Sequence, residues 1–284
     1  MSSADPDQLR AFSREAWETA AAGWGREAEA VRTWGMPVSV TMVDSLGLQP
    51  GQRVLELACG PGDTGFMAAE LVRPGGTLIS SDGAEHMLEV ARARAAQLGI
   101  DNVEFRQLEL EWIDLETASV DAVLVRWGIM LTVDPAAAAR EIRRVLKPAG
   151  HAALAVWDTR ERNIWAQIPT AALVELGHAE PPDPDVPGPF SLAEDGRLAE
   201  LLDDAGFVDV EVVPVNLERH YASAQDIVAE SVNCSPSFGV KWHELTETQQ
   251  DEVANRMIAA VAPYSAPDGS VMLPGVSLVA RASA

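Results

Sequence analysis

The stretch Val54 to Gly65, reading Val-Leu-Glu-Leu-Ala-Cys-Gly-Pro-Gly-Asp-Thr-Gly, constrains this chain more than any other. An apolar run stops at glycines and a helical pattern follows, which spells a buried strand, a tight turn and a helix start. In such a turn glycine reaches backbone angles closed to other residues and lets a ligand approach the main chain. A nucleotide-type site is therefore expected at the carboxyl end of the first strand. Gly60, Gly62 and Gly65 satisfy G-x-G-x-x-G, and Asp82 lies near the distance at which a dinucleotide fold places its ribose-binding acid. Against a dinucleotide stands Glu56, inside the strand and four residues before the first glycine. Its carboxylate would repel a pyrophosphate, whereas a ligand with a sulfonium and a free ammonium tolerates it.

The flanking pattern supplies the fold. Leu9, Phe12, Ala16, Trp17, Ala20 and Trp24 recur at helical steps; Gly23 and Gly25 are expected to break that helix, and Ala28 and Val31 to resume it. A further amphipathic helix is predicted from about Val38 to Leu46. Strands are then expected at Arg53 to Leu57, Thr77 to Ser81, Val103 to Leu108, Val120 to Trp127 and Ala152 to Trp157, alternating with helices as in a parallel sheet covered on both sides. Asp134 with Pro135 marks a capped helix start. Beyond the fifth strand, Arg160 to Gly177 reads as helix and the five prolines of Pro181 to Pro189 as an extended surface connection. Ser191 to Glu194, Ser223 to Asp226 and Thr246 to Gln249 each have capping-box spelling. Two last strands are expected at about Val208 to Leu217 and Val271 to Ala280.

Composition excludes several functions. The net charge of −22 repels phosphate backbones and anionic lipid, and the arginines form no basic patch. The two cysteines, Cys59 and Cys234, make neither a disulfide framework nor a metal site. The N-terminus lacks a basic then apolar leader, and no apolar run approaches membrane-spanning length. A soluble, cytoplasmic protein is expected, with no nucleic-acid partner, no membrane insertion and no metal.

With Glu-Leu-Ala-Cys-Gly-Pro-Gly, Asp82 followed by Met87-Leu88, and Arg-Arg-Val-Leu-Lys-Pro-Ala-Gly before the fifth strand, Val54 to Trp157 resembles the class I S-adenosylmethionine (SAM) methyltransferases. Within them it is similar to the branch of the ubiquinone and menaquinone biosynthesis C-methyltransferases and many secondary-metabolite methyltransferases. The resemblance implies a Rossmann-like three-layer α/β sandwich with a seven-stranded, mostly parallel sheet, its last strand antiparallel beside strand 5. It also implies SAM as cofactor, S-adenosylhomocysteine as product and a small-molecule acceptor. N-terminal cap helices are expected over 1–48 and the core over 49–284, with cap insertions at about 160–190 and 222–268. Carried over by position, Ala58, Gly60 and Gly62 form the backbone floor under the methionine part. Glu56 attracts the ammonium or orients the turn, and Asp82 accepts from both ribose hydroxyls. Met87 packs on adenine, Glu109 accepts from its amine, and the Leu110 amide reaches a ring nitrogen. Arg126 makes a backbone contact at the methionine end. The sequence departs from the family at Ala84, where many relatives have serine, at Leu108 and at Ala149, where glycine is usual.

No catalytic residue is assigned. His86, His151, His178, His220, His243, Tyr221 and Tyr264 are candidate bases, although methyl transfer does not require one. Trp17, Trp24, Trp34, Trp165, Phe238, Trp242 and Tyr264 are expected near the cofactor edge, as an aromatic pocket for an apolar acceptor or as packing between cap and core. A nicotinamide-dependent oxidoreductase and a SAM-binding protein without methyl transfer are the alternatives. The first is disfavoured by Glu56, by the segment before strand 5 and by the lack of a Ser/Tyr/Lys hydride-transfer set.

Overall fold

The computed structural model describes residues 5–182 and 186–284. The first five strands alternate with helices: β1 (Arg53–Leu57), α3 (Asp63–Leu71), β2 (Thr77–Asp82), α4 (Glu85–Leu98), β3 (Val103–Gln107), β4 (Val120–Arg126), α5 (Pro135–Val145) and β5 (Leu146–Trp157). After α6 (Ile164–Glu175) and α7 (Arg197–Asp204) come β6 (Val208–Tyr221), α8 (Ala224–Cys234), α9 (Pro236–Glu244), α10 (Glu247–Val261) and β7 (Val271–Ser283). The sheet order is β3-β2-β1-β4-β5-β7-β6, with β7 antiparallel to both its neighbours. This is the seven-stranded Rossmann-like sheet expected from the sequence. Winding reverses between β1 and β4, and right-handed crossovers therefore send α3 and α4 to one face and α5 to the other. The reversal opens a crevice at the carboxyl ends of β1 and β4, where ligands of such sheets bind. The interiors of β4 and β5 are apolar, as in Val123–Val125 and Ala152–Val156, because helices cover both faces, while β1 and β2 bury Glu56, Ser80 and Ser81.

The N-terminal helices differ from the sequence pattern. Helix α1 (Pro6–Arg26) runs unbroken through Gly23 and Gly25. A Cβ on Gly23 would lie 2.1 Å from the Asn233 carbonyl oxygen, so this glycine serves close packing of α1 on α8 rather than a break. Helix α2 (Ala28–Ser45) continues past Pro37, since burying Val31, Trp34, Val38 and Met42 outweighs the lost backbone bond. It packs on the sheet at β5, β6 and β7 and beside α3, so 28–45 belong to the sandwich layer rather than to a cap. Ser191 opens no helix. Its hydroxyl donates to the Met130 carbonyl (2.6 Å), and α7 begins later at Arg197 behind Gly196. Both other capping boxes form, at Ser223 and Thr246. Of the proline-rich connection, 183–185 lie outside the described residues.

Helices α6, α8, α9 and α10 share a second apolar core with Tyr221 and the start of β7, built on Ile168, Ile227, Phe238, Val253 and Met257. Among the described residues no helix is long and apolar enough to cross a membrane.

Candidate functional site

A cavity of about 540 Å³ opens at the crevice between β1 and β4, a size suited to a nucleoside-type ligand. Its floor is the turn after β1. Ala58 and Gly60 both have left-handed backbone, with φ of 50° and 55°. Space within 4 Å of where a Gly60 Cβ would point is empty, which leaves the main chain open to a ligand.

Asp82 ends β2 on the cavity wall and holds the turn in place. Its Oδ2 accepts from the Gly60 N–H (3.0 Å) and its Oδ1 from the Ala84 N–H (3.1 Å). Each oxygen retains accepting capacity, so the pair suits two vicinal hydroxyls. Burial pushes the carboxyl up to about 6, eased by the two backbone N–H groups and raised further by Glu109 and Glu18. Met87 is buried beside it. Glu109 and Leu110, after β3, also line the cavity, with Glu109 Oε1 paired to Arg14 (2.6 Å). This donor set fits an adenosine carrying a methionine arm: a carboxylate for ribose, an apolar thioether wall, an acid for an exocyclic amine and exposed backbone below.

Two of the sequence candidates lie outside the cavity lining. Glu56 is 3% exposed and points between sheet and helix. Its Oε1 accepts from the Gly65 N–H (2.7 Å) and its Oε2 from Ser80 Oγ (3.0 Å). Burial pushes it up to about 8 against these hydrogen bonds and the Arg126 charge. Of its two expected roles, these contacts match orientation of the turn. Gly65 is the counterpart: a Cβ there would stand 2.1 Å from Glu56 Oε2, so the third glycine makes room for the acid. Gly62 (φ 91°) caps α3 against Phe66 and is likewise absent from the lining.

Of the remaining wall, Trp17 and Trp24 were expected at the cofactor edge, whereas Arg10, Arg14, Glu111 and Trp112 were not read from the sequence. Arg10, Arg14, Trp17 and Trp24 of α1 cover the cavity, facing Glu109, Glu111 and Trp112 of the β3–β4 connection. Arg10 pairs with Glu111 Oε2 (2.6 Å), whose Oε1 accepts from the Val133 and Asp134 N–H groups. Glu111 thus ties α1 to the loop before α5. Trp112 stands at the mouth, 76% exposed. Alternation of acids and a lone tryptophan in an irregular segment offered no periodic signal.

Helix α1 also repairs a departure from the family. The N-cap of α4 is Ala84, which has no side-chain acceptor, and Glu18 takes over by accepting from the Glu85 (2.8 Å) and His86 (2.9 Å) N–H groups. Glu18→Ala is expected to lower stability by about 1 kcal/mol. A thermal melt of the variant checks this, an unchanged midpoint counting against the cap.

The aromatic residues divide. Of the seven singled out, Trp17 and Trp24 reach the cavity, their rings 5.8 Å apart. Trp34 and Trp165 join Trp127 and Trp157 in a buried stack, with Trp127 and Trp157 centred 4.3 Å apart. Arg219 is sandwiched between Trp34 (3.8 Å) and Trp165 (3.7 Å) and pairs with Glu230 (2.9 Å). Phe238, Trp242 and Tyr264 belong to the cap's own core. Only Trp127 serves both places: it sits in left-handed backbone (φ 57°) at the cavity edge, where the stack and its indole bond to Ser277 Oγ (3.0 Å) hold a conformation costly for so bulky a residue.

None of the candidate histidines or tyrosines lines the cavity. His151 contacts Arg281 and Ser283 at the far end of β5, His86 pairs with Glu18, and His220 with Glu218. Tyr221 is buried, its phenol pushed up by burial. Cys59 does face the cavity, but burial beside Asp82 raises its thiol well above the ordinary range, which keeps it protonated.

Comparison with known proteins agrees with this geometry. Residues 48–179 match the family described as a methyltransferase domain. The chain is 27% identical to the nocamycin O-methyltransferase of Saccharothrix syringae over 81% of its length and 85% of the relative's. It is 30% identical to the demethylmenaquinone methyltransferase of Listeria welshimeri over 58% of its length and 74% of the relative's. The solved structure of the YcgJ protein of Bacillus subtilis shares the fold, with a TM-score of 0.58 at 17% identity over 86% of this chain and 97% of that one. A cavity at the switch point of a seven-stranded sheet, together with these relatives, leaves one conclusion: the chain belongs to the class I S-adenosylmethionine-dependent methyltransferases.

Proposed function

We propose that the chain methylates a small, largely apolar or aromatic metabolite held against Trp17, Trp24, Trp112 and Trp127. The observation that carries this reading is the lining of the cavity at the β1–β4 crevice, which combines Asp82, Met87 and Glu109 with Trp17, Trp24, Trp112 and Trp127, with residues of α1 along it. That nocamycin and demethylmenaquinone methyltransferases are among the relatives supports a metabolite as acceptor. Asp82 then accepts from the ribose hydroxyls, Met87 packs on adenine, Glu109 takes its amine and the Leu110 amide a ring nitrogen. Ala58 and Gly60 offer backbone to the methionine arm. Helix α1 forms the lid of this cavity.

When bound, S-adenosylmethionine supplies a sulfonium methyl that an aligned nucleophile displaces in line. The protein's part is to align the acceptor and exclude water, since charge is neutralised in such a displacement and low polarity favours it. No His or Tyr stands in the lining to take a proton, and Asp82 and Glu111 are engaged by backbone N–H groups. An acceptor that enters already ionised, or loses its proton to solvent afterwards, matches this arrangement. Calorimetry with S-adenosylmethionine, S-adenosylhomocysteine and NADH tests the reading, followed by mass spectrometry of quinones, phenols and terpenoids incubated with enzyme and donor. Binding of the sulfur nucleosides and gain of one methyl by an apolar acceptor are expected. Tight binding of NADH alone, or methylation confined to highly polar acceptors, would overturn it.

A further inference from the structure

Helix α1 has its buried residues, Ala21 and Gly23, near its end; the part before them is fastened over the cavity by polar contacts. Two of these are ion pairs to the turn Glu109–Trp112, which the Trp112 N–H closes onto the Glu109 carbonyl (3.2 Å). Arg10 Nη2 meets Glu111 Oε2 (2.6 Å), and Arg14 Nη2 meets Glu109 Oε1 (2.6 Å). The two pairs differ in which partner is fixed.

Glu111 is held without Arg10. Its Oε1 accepts from the Val133 (2.8 Å) and Asp134 (3.0 Å) N–H groups, and its side chain is 16% exposed. Arg10 therefore fastens the helix to an acid already in place. At Glu109 the order is reversed. Among the described residues its carboxylate has no hydrogen-bond or ion-pair partner except Arg14, and its side chain is 51% exposed. Two effects would draw it away from the wall. A half-exposed glutamate has several rotamers open to it, and Asp82 repels it, the Glu109 charge being one of those that raise the Asp82 carboxyl. Arg14 itself is fixed from both sides: one turn before it Arg10 pairs with Glu111, and one turn after it Glu18 accepts from the Glu85 and His86 N–H groups.

Held by Arg14, the carboxylate stands beside the ribose acid. A Cβ on Gly83 would lie 3.2 Å from Glu109 Oε2, so Oε2 rests next to the backbone between Asp82 and the start of α4, and Arg14 takes the other oxygen. Oε2 keeps its capacity to accept from a ligand N–H.

We propose that Arg14 is a positioning residue of this site: it holds Glu109 with Oε2 free for the exocyclic amine of the nucleobase, so that recognition of the amine depends on α1 being closed. The proposal rests on the methyltransferase reading of the cavity and on Glu109 as acceptor for the adenine amine.

Calorimetry on the full chain tests it with wild type, Arg14→Gln, Arg14→Lys and Arg10→Gln. The probes are S-adenosylhomocysteine and its analogue whose purine lacks the 6-amino group. Wild type is expected to prefer the amino compound. Arg14→Gln shrinks that preference about 3- to 10-fold, and Arg14→Lys recovers part of it. Arg10→Gln weakens both compounds alike and leaves the preference within about twofold of wild type. A preference unchanged in Arg14→Gln overturns the proposal, because loss of a mere fastening lowers both affinities by one factor. Should that variant not fold, wild-type affinities for both compounds in Arg14→Lys do so, because an ammonium lacks the guanidinium's planar fork. An equal loss of preference in Arg10→Gln overturns it too, since the effect would then belong to α1 as a whole. Wild type without any preference would instead overturn the adenine role of Glu109, and wild type that binds neither compound the donor site itself, each taking the proposal with it.

Discussion

Replacing Asp82 with alanine is expected to weaken S-adenosylhomocysteine binding by about 3 kcal/mol, roughly two orders of magnitude in Kd. Two losses combine. The ribose loses a charged acceptor, and the Gly60 and Ala84 N–H groups, now without partners, no longer fix the turn and the α4 start. Asp82→Asn should be little better, because its NH2 must face one of those two N–H donors. Since the carboxyl is raised to about 6 and its ionised form accepts from both hydroxyls, affinity should rise as pH increases through about 6 and level off above it. Calorimetry on either side of that pH, with a melt to show that each variant is folded, checks both statements. Unchanged affinity in folded Asp82→Ala would place the ribose elsewhere.

Glu56 should produce the second large effect, on stability rather than on binding. Glu56→Ala strands the Gly65 N–H and Ser80 hydroxyl in a dry interior and leaves a void, costing about 3 kcal/mol. Glu56→Gln keeps an acceptor for Gly65 and offers Ser80 a donor, so it should cost less than about 1 kcal/mol. The pH dependence has a definite sign. The folded-state value of about 8 lies above the ordinary 4.5, so the stability this group contributes is fully present below about 4.5 and is lost as pH rises through about 8. Melts of wild type should therefore decline across that window by more than those of Glu56→Gln. Parallel curves, or a Glu56→Gln that loses S-adenosylhomocysteine binding while staying folded, would argue that the carboxyl acts on the ligand after all.

The core was readable because its signals are local. Apolar or alternating runs separated by helical patterns marked five parallel strands, and Asp134, Ser223 and Thr246 cap helices where their spelling indicated. Local signals misled where a distant partner decides. Gly23 reads as a breaker, yet the Asn233 carbonyl of α8 requires a glycine within an intact helix. Ser191 reads as a cap, yet its hydroxyl is taken by Met130. Ala84 left α4 without a cap, and the acceptor came from Glu18, 67 residues earlier.

The donor half of the cavity illustrates what the amino-acid sequence determined by itself. Ala58, Gly60 and Asp82 sit within one strand-turn-helix and the end of the next strand, so their spacing alone carries them to one place. The aromatic part of the cavity was decided by tertiary structure. Periodicity says only that a tryptophan is buried, and packing sends Trp17 and Trp24 to the cavity, Trp34 and Trp165 to the stack around Arg219, and Trp242 to the cap core. Even the opening stretch changed meaning in three dimensions. Glu56 and Gly65, nine positions apart, turned out to be each other's partners, and Arg126 reaches the same cavity from β4, a strand paired with β1 only in the folded sheet. Backbone turns are encoded by neighbours in sequence; the placement of side-chain charge and aromatic surface depends on contacts that only the closed fold creates.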